Sequence, residues 1–207
     1  TWGAAQTTGA IGPGPGGERR EVSGLAASRR NPGVLWAHDD SGGAPLLHAL
    51  GEDGALRQTY RLDVQPTDWE DLALGPGDAP GEEVLWVADT GDNGTSRAYV
   101  VLLRATEPAV PEVPGPEVAL PHRAYALRYP DGAHDVEALA VDWETGTPYL
   151  LGKSGAGGDA WRVPLPLDPD WSPTTPGTFV PVSSGAPLPS QVTAADAGRD
   201  ANRLVLR

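Results

Sequence analysis

Apolar residues fall in short runs of four to seven, broken by Gly, Pro, Asp and Asn, and no stretch keeps the 3.6-residue period of an amphipathic helix. Such runs predict strands joined by turns. Four of them align with one another: residues 22–28 (VSGLAAS), 69–75 (WEDLALG), 136–142 (VEALAVD) and 192–198 (VTAADAG). Each leads through a turn to a second predicted strand, at residues 33–38, 83–89, 147–153 and 202–207. Outer strands are predicted at 45–50 and 55–62, at 98–104 and 123–129, and at 160–165 and 178–182.

The second positions of the aligned runs, Ser23, Glu70, Glu137 and Thr193, stand 47, 67 and 56 residues apart. A repeat of about 40–50 residues carrying four short strands is the size of a β-propeller blade. The excess length falls in loops, at the Pro-rich residues 108–121 and at 168–177. The expected fold is therefore all-β, a propeller of four-stranded antiparallel blades, with helix below about a tenth of the chain. Blades are expected at about 21–66, 67–133 and 134–190, with the first hairpin of a fourth at 191–207 and an N-terminal extension at 1–20. Propellers have about 4–8 blades, so about three and a half imply a fragment of a five- or six-bladed ring. The alternative is a four-bladed ring whose last blade is completed by a strand from residues 1–11.

Composition narrows the function. Gly (27) and Pro (22) are abundant, but 39% hydrophobic residues and seven Trp are more than a solvated polymer needs, so the chain is expected to fold. Without cysteine it has no disulfide framework, no thiol nucleophile and no Cys-ligated metal. No apolar run approaches the ~18 residues of a membrane helix. The net charge of −13 repels phosphate backbones and anionic lipid headgroups, which argues against nucleic-acid and membrane partners. Cations and neutral or cationic ligands suit it better. A single Lys (Lys153) among abundant Arg, Ala, Gly and Pro points to a high-GC genome.

The polar runs flanking the inner hairpins are unevenly distributed. In an antiparallel pair the start of one strand and the end of its neighbour lie at the same end. That rule gathers His38-Asp39-Asp40-Ser41, Asp68-Trp69-Glu70-Asp71, Asp89-Thr90-Gly91-Asp92-Asn93, His134-Asp135-Val136-Glu137, Lys153-Ser154 and Thr193 on one rim, while the opposite turns read as plain loops. Clustered carboxylates repel one another unless a cation, a cationic ligand or retained protons relieve them. Ca²⁺, with its 6–8 oxygen ligands, fits the Asp, Glu and Asn on offer, and Glu70, Asp89, Asp92, Asn93 and Glu137 are the candidate metal ligands. Asp39, Asp40, Trp69 and Lys153 are the candidate ligand-binding residues. The competing reading is that Asp-Gly and Asp-Asn runs simply make turns.

On these same residues (Ser23-Gly24-Leu25-Ala26, His38-Asp39-Asp40-Ser41-Gly42, Asp68-Trp69-Glu70-Asp71-Leu72-Ala73, Asp89-Thr90-Gly91-Asp92-Asn93 and Asp135-Val136-Glu137-Ala138-Leu139) the chain resembles a family of secreted actinobacterial propeller proteins, most of them uncharacterised. It is more distantly similar to phytase-like and esterase-like propellers, in which an E-G/A-L-A strand start followed by Y-L-L recurs. Here these are Glu137-Ala138-Leu139-Ala140 and Tyr149-Leu150-Leu151. The resemblance covers about residues 21–207 and implies a secreted or cell-envelope location. Phytase-type catalysis uses several calcium ions and a set of basic phosphate ligands, for which Lys153 is the single match near the rim.

Other motifs are incomplete. Asp40-Ser41-Gly42-Gly43 follows Asp39 where a trypsin-like nucleophile loop has Gly. Gly152-Lys153-Ser154 has Thr147 in place of the first Gly of a phosphate loop. The run from Asp89 has Gly91 and Val100 at the third and twelfth positions of a would-be EF-hand loop. His38 and His134 adjoin the rim and, with Lys153, are the candidate catalytic groups. Their plainer roles are hydrogen bonding, and for Lys153 an ion pair with Glu137 or Glu70. Two functions remain open: a propeller binding a small molecule, glycan or protein at an acidic, calcium-binding rim, or a calcium-assisted hydrolase of an ester, lactone or phosphoester.

Overall fold

The structure, a computed structural model, describes residues 22–40, 43–153, 159–183, 189, 191–198 and 204–207. Among them there is no helix. The first sheet is an antiparallel meander of β1 (Val22–Ala27), β2 (Val34–Asp39), β3 (Leu46–Gly51) and β4 (Leu56–Arg61). The second is built in the same way from β5 (Trp69–Pro76), β6 (Glu83–Asp89), β7 (Val100–Thr106) and β9 (Arg123–Arg128). The third joins β10 (Val136–Val141), β11 (Pro148–Gly152), β12 (Ala160–Arg162) and β14 (Val180–Pro181). A hairpin of β15 (Ala195–Ala197) and β16 (Leu204–Leu206) follows. First strands pack side by side in the order β1, β5, β10, β15. The expected closing strand at 1–11 lies outside the described residues.

Two edge strands escaped the sequence pattern. The two-residue β8 (Val118–Ala119) leaves the Pro-rich loop and pairs in parallel with β4. Likewise β13 (Gly177–Thr178) pairs in parallel with β9. The single strand expected at 178–182 is thus divided: buried Phe179 lies between β13 on the second sheet and β14 on the third. The strand expected at 160–165 stops at Arg162, because Pro164 and Pro166 have no N–H to continue a ladder.

Three apolar clusters fill the interfaces. Trp36, Tyr60, Trp69, Leu72 and Leu85 lie between the first and second sheets. Trp86, Tyr125, Leu139, Trp161 and Phe179 lie between the second and third. A smaller group, Ala138, Leu151, Val192 and Ala195, joins the third sheet to the last hairpin. Each large side chain withdrawn from water contributes about 1.5–3 kcal/mol. A buried polar hub locks the first interface: Glu107 accepts hydrogen bonds from the Trp36 indole (2.7 Å), Ser28 (2.5 Å) and Asn31 (3.3 Å).

One irregularity recurs. The register of β1 against β2 shifts between Val22 and Gly24, that of β5 against β6 between Trp69 and Asp71, and that of β10 against β11 between Val136 and Ala138. The bulged residues are Ser23, Glu70 and Glu137, the same positions that aligned in sequence. A bulge re-aims its side chain, and here it positions the candidate site.

Candidate metal centre

Glu70, Asp135 and Glu137 converge, each offering an oxygen within 4.8 Å of the others'. Glu70 and Glu137 come from the equivalent bulges of adjacent first strands, and Asp135 stands two residues before the second of them. Both glutamates are buried and Asp135 is half-buried. Lys153, at the end of β11, forms an ion pair with Glu137. Its backbone N–H donates to the Asp135 carbonyl (3.2 Å), which ties the two ends of the hairpin together. Hydrogen bonding to Glu137 is the main influence holding the Lys153 ammonium above its ordinary range.

Burial, followed by the charges of Asp68, Glu137, Asp40 and Asp135, pushes Glu70 up to about 8. Burial also raises Asp68, reinforced by Asp40 and Asp89. Gly91 lies directly against this group: a Cβ there would overlap the Glu70 and Asp68 carboxylates. Closely spaced oxygens, one positive counter-charge and a backbone with no side chain in the way suit a hard cation.

The remaining expected site residues divide. Asp89 accepts from the amides of Thr67 (2.9 Å) and Asp68 (3.0 Å) and pairs with Arg97 (2.9 Å), so it fixes the approach to β5. Asp92 accepts from the amides of Ser96 (2.8 Å) and Arg97 (2.7 Å) and closes a turn, the plainer of the two roles weighed for it. Asn93 is exposed in that turn and is not part of the three-carboxylate group. Trp69 is only 3% exposed and packs edge-on against His38 at 5.6 Å, which places its ring in the core and away from a ligand in solvent. Asp39 faces His48 at 3.7 Å, while half-buried Asp40 adds negative charge near Glu70.

The histidines have structural surroundings. His38 is fully buried, burial lowers its pKa, and Nδ1 meets the Asp39 carbonyl at 2.9 Å. His134 bonds Asp131 (2.9 Å) and lies against Trp161 (4.6 Å). Ser154 and Ser41 lie outside the described residues.

Sequence reasoning placed Asp135 and Asp71 on the rim but named neither as a site residue. Asp135 was detectable from the repeated D-x-E spacing, Asp68-Trp69-Glu70 and Asp135-Val136-Glu137. Asp71 carried no such signal. Its fully buried carboxylate accepts from Leu72 (2.9 Å), Leu139 (2.9 Å) and Ala195 (3.2 Å) N–H groups, which joins β5 to β10 and to β15. Burial nevertheless pushes it up to about 7.

No protein-family model matches the chain, and no curated protein matches it. Among solved structures, the complex of KlAtg21 with the coiled-coil of AgAtg16 aligns over 92% of this chain and 50% of that one, at 8% identity and a TM-score of 0.42. This chain thus spans about half the length of that chain.

Proposed function

We propose that the sheets are consecutive propeller blades and that the chain binds a divalent cation, Ca²⁺ first among them, through Glu70, Asp135 and Glu137, to present a ligand site on that rim. The observation that carries this reading is the convergence of three carboxylate oxygens within 4.8 Å, at bulges that recur in successive sheets. Lys153 neutralises one of the charges, and a bound cation would neutralise the others. An all-oxygen donor set favours Ca²⁺ or Mg²⁺ over softer metals, and Ca²⁺ accepts irregular geometry more readily. A secreted or envelope location accords with this reading and with the family resemblance.

The test is thermal melting in EDTA, Ca²⁺ and Mg²⁺, beside Glu70→Gln and Glu137→Gln. Ligand at about a hundred times its Kd should add about 2.7 kcal/mol to the wild type. The variants should lose most of that gain. Equal melting in EDTA and Ca²⁺ would remove the cation site.

One observation favours hydrolysis as a second reading. Glu70, held near 8, keeps its proton at neutral pH within 4.8 Å of two other carboxylates. Such a group can deliver or take up a proton at an ester, lactone or phosphoester. Turnover of a panel of these esters that is lost in Glu70→Gln would favour the enzyme; cation binding without turnover would favour the binding protein.

A further inference from the structure

At the end of the sheets opposite the carboxylates, a cleft of about 800 Å³ lies between the second and third sheets. Its floor is one cross-strand row, in which Trp86 pairs with Arg104 and Arg104 with Arg123. Residues directly opposite in antiparallel strands project from the same face, so the indole and both guanidiniums belong to one surface. Like charges placed in this way destabilise a sheet unless an anion lies between them.

Arg104 has its anion. Both terminal nitrogens donate to Asp78 (3.0 and 2.8 Å), and the guanidinium lies 5.7 Å over the Trp86 ring. Asp78 itself is 85% exposed, on the β5–β6 turn. Among the described residues Arg123 makes no ion pair, and the buried Trp86 Nε1–H meets no acceptor. The facing wall joins Leu165 and Leu167, among prolines, to the turn of Glu144, Thr145 and Gly146. Exposed Leu165 shows that this wall reaches solvent.

We propose that this cleft binds a small organic anion, an apolar body ending in a carboxylate, with the carboxylate on Arg123 and the body against Leu165 and Leu167. The unmatched groups of the floor, the Arg123 guanidinium and the Trp86 indole N–H, are donors, and a carboxylate is acceptor-only with a geometry that suits a guanidinium fork. The site is independent of the proposed cation centre.

Titrating the full chain with phenylbutyrate and with its neutral analogue phenylbutyramide, followed by tryptophan fluorescence and by melting temperature, tests this. The acid should bind saturably and the amide about tenfold more weakly, as loss of one charged hydrogen-bonded contact implies. Arg123→Ala, at an exposed position that the fold does not need, should weaken the acid by a similar factor and leave the amide unchanged. Glu70→Gln should bind both as the wild type does, which separates this site from the cation reading. Acid and amide binding alike, an Arg123→Ala protein indistinguishable from wild type, or no saturation up to about 20 mM would each overturn the proposal.

Discussion

A carboxyl buried beside several other carboxylates gives up its proton only reluctantly, and the metal-free Glu70 is held near 8 for that reason. In the unfolded chain its ordinary value is 4.5, so from there to about 8 the native state binds the proton more tightly. The stability this contributes is complete below 4.5 and lost as pH rises through about 8; Asp71 adds the same trend, from 3.8 to about 7. His38 acts in the other direction. Burial lowers it, so its contribution is present above 6.5 and lost as pH falls below that value. Urea denaturation in EDTA should therefore show stability falling from about pH 6.5 to about pH 8 and levelling off above it, with the fall reduced in Glu70→Gln. Saturating Ca²⁺ should flatten or reverse it, since the cation takes over the proton's role. An EDTA profile flat across that range, or one identical in Glu70→Gln, would contradict the placement of this carboxyl. Gly91 gives a second residue-scale test. The overlap from Gly91→Ala falls on the ends of two flexible side chains, so the fold should survive while apparent Ca²⁺ affinity drops about tenfold. Calorimetric titration beside a circular dichroism spectrum reads both effects.

Between elements, the least replaceable contact is Asp71, whose one side chain satisfies amides on β10 and β15 as well as its own neighbour. Asp71→Ala leaves buried N–H groups of Leu139 and Ala195 without an acceptor, at about 1–3 kcal/mol for each. The expected result is a drop of several °C in melting temperature, with faster hydrogen exchange concentrated at those two amides. Uniformly faster exchange would instead mean a general loss of packing. How much of this was readable beforehand depends on how local each signal is. Strands β1 to β7 and β9 to β11 follow from alternating or continuous apolar runs bounded by Gly and Pro, and they appear within a few residues of expectation. The pairing of Glu70 with Glu137 was legible because a repeat maps equivalent residues onto adjacent strands. By contrast, β8 and β13 are each held by two residue pairs to a single parallel strand far away in sequence, and Val118–Ala119 in a Pro-rich loop carries no strand pattern of its own. Asp71 was hidden for a related reason. Its partners are backbone amides 68 and 124 residues away, and backbone amides leave no mark in a sequence. Trp69 misled because a ring beside acidic residues in the chain faces inward once its strand is laid down.

Across the whole molecule, the three-carboxylate cluster and the two cross-strand arginines stand at opposite ends of the sheets. Carboxylates gather where the first strands begin, whereas Arg104 and Arg123 stand near the far ends of the second sheet's strands. With a net charge of −13, self-repulsion acts against the compact state, and it is strongest where oxygens approach within 4.8 Å. Salt screens such repulsion with a Debye length of about 10 Å at 0.1 M and about 3 Å at 1 M, so only concentrated salt reaches contacts this short. Two regimes should follow in EDTA. The melting temperature should rise up to about 0.1 M NaCl as the general surface charge is screened, and rise again toward about 1 M as the cluster is. At about pH 9, where Glu70 has lost its proton, Glu70→Gln should keep the first rise and lose much of the second, because the amide removes that charge from the cluster. Ca²⁺ should suppress the second rise in the wild type, and the gain from Ca²⁺ should shrink as NaCl increases. Melting curves over an NaCl series, with sodium perchlorate as a check on anion-specific effects, measure this. If wild type and Glu70→Gln rise in parallel over the whole series, the cluster is not a significant source of repulsion, and the argument that it calls for a cation loses its electrostatic basis.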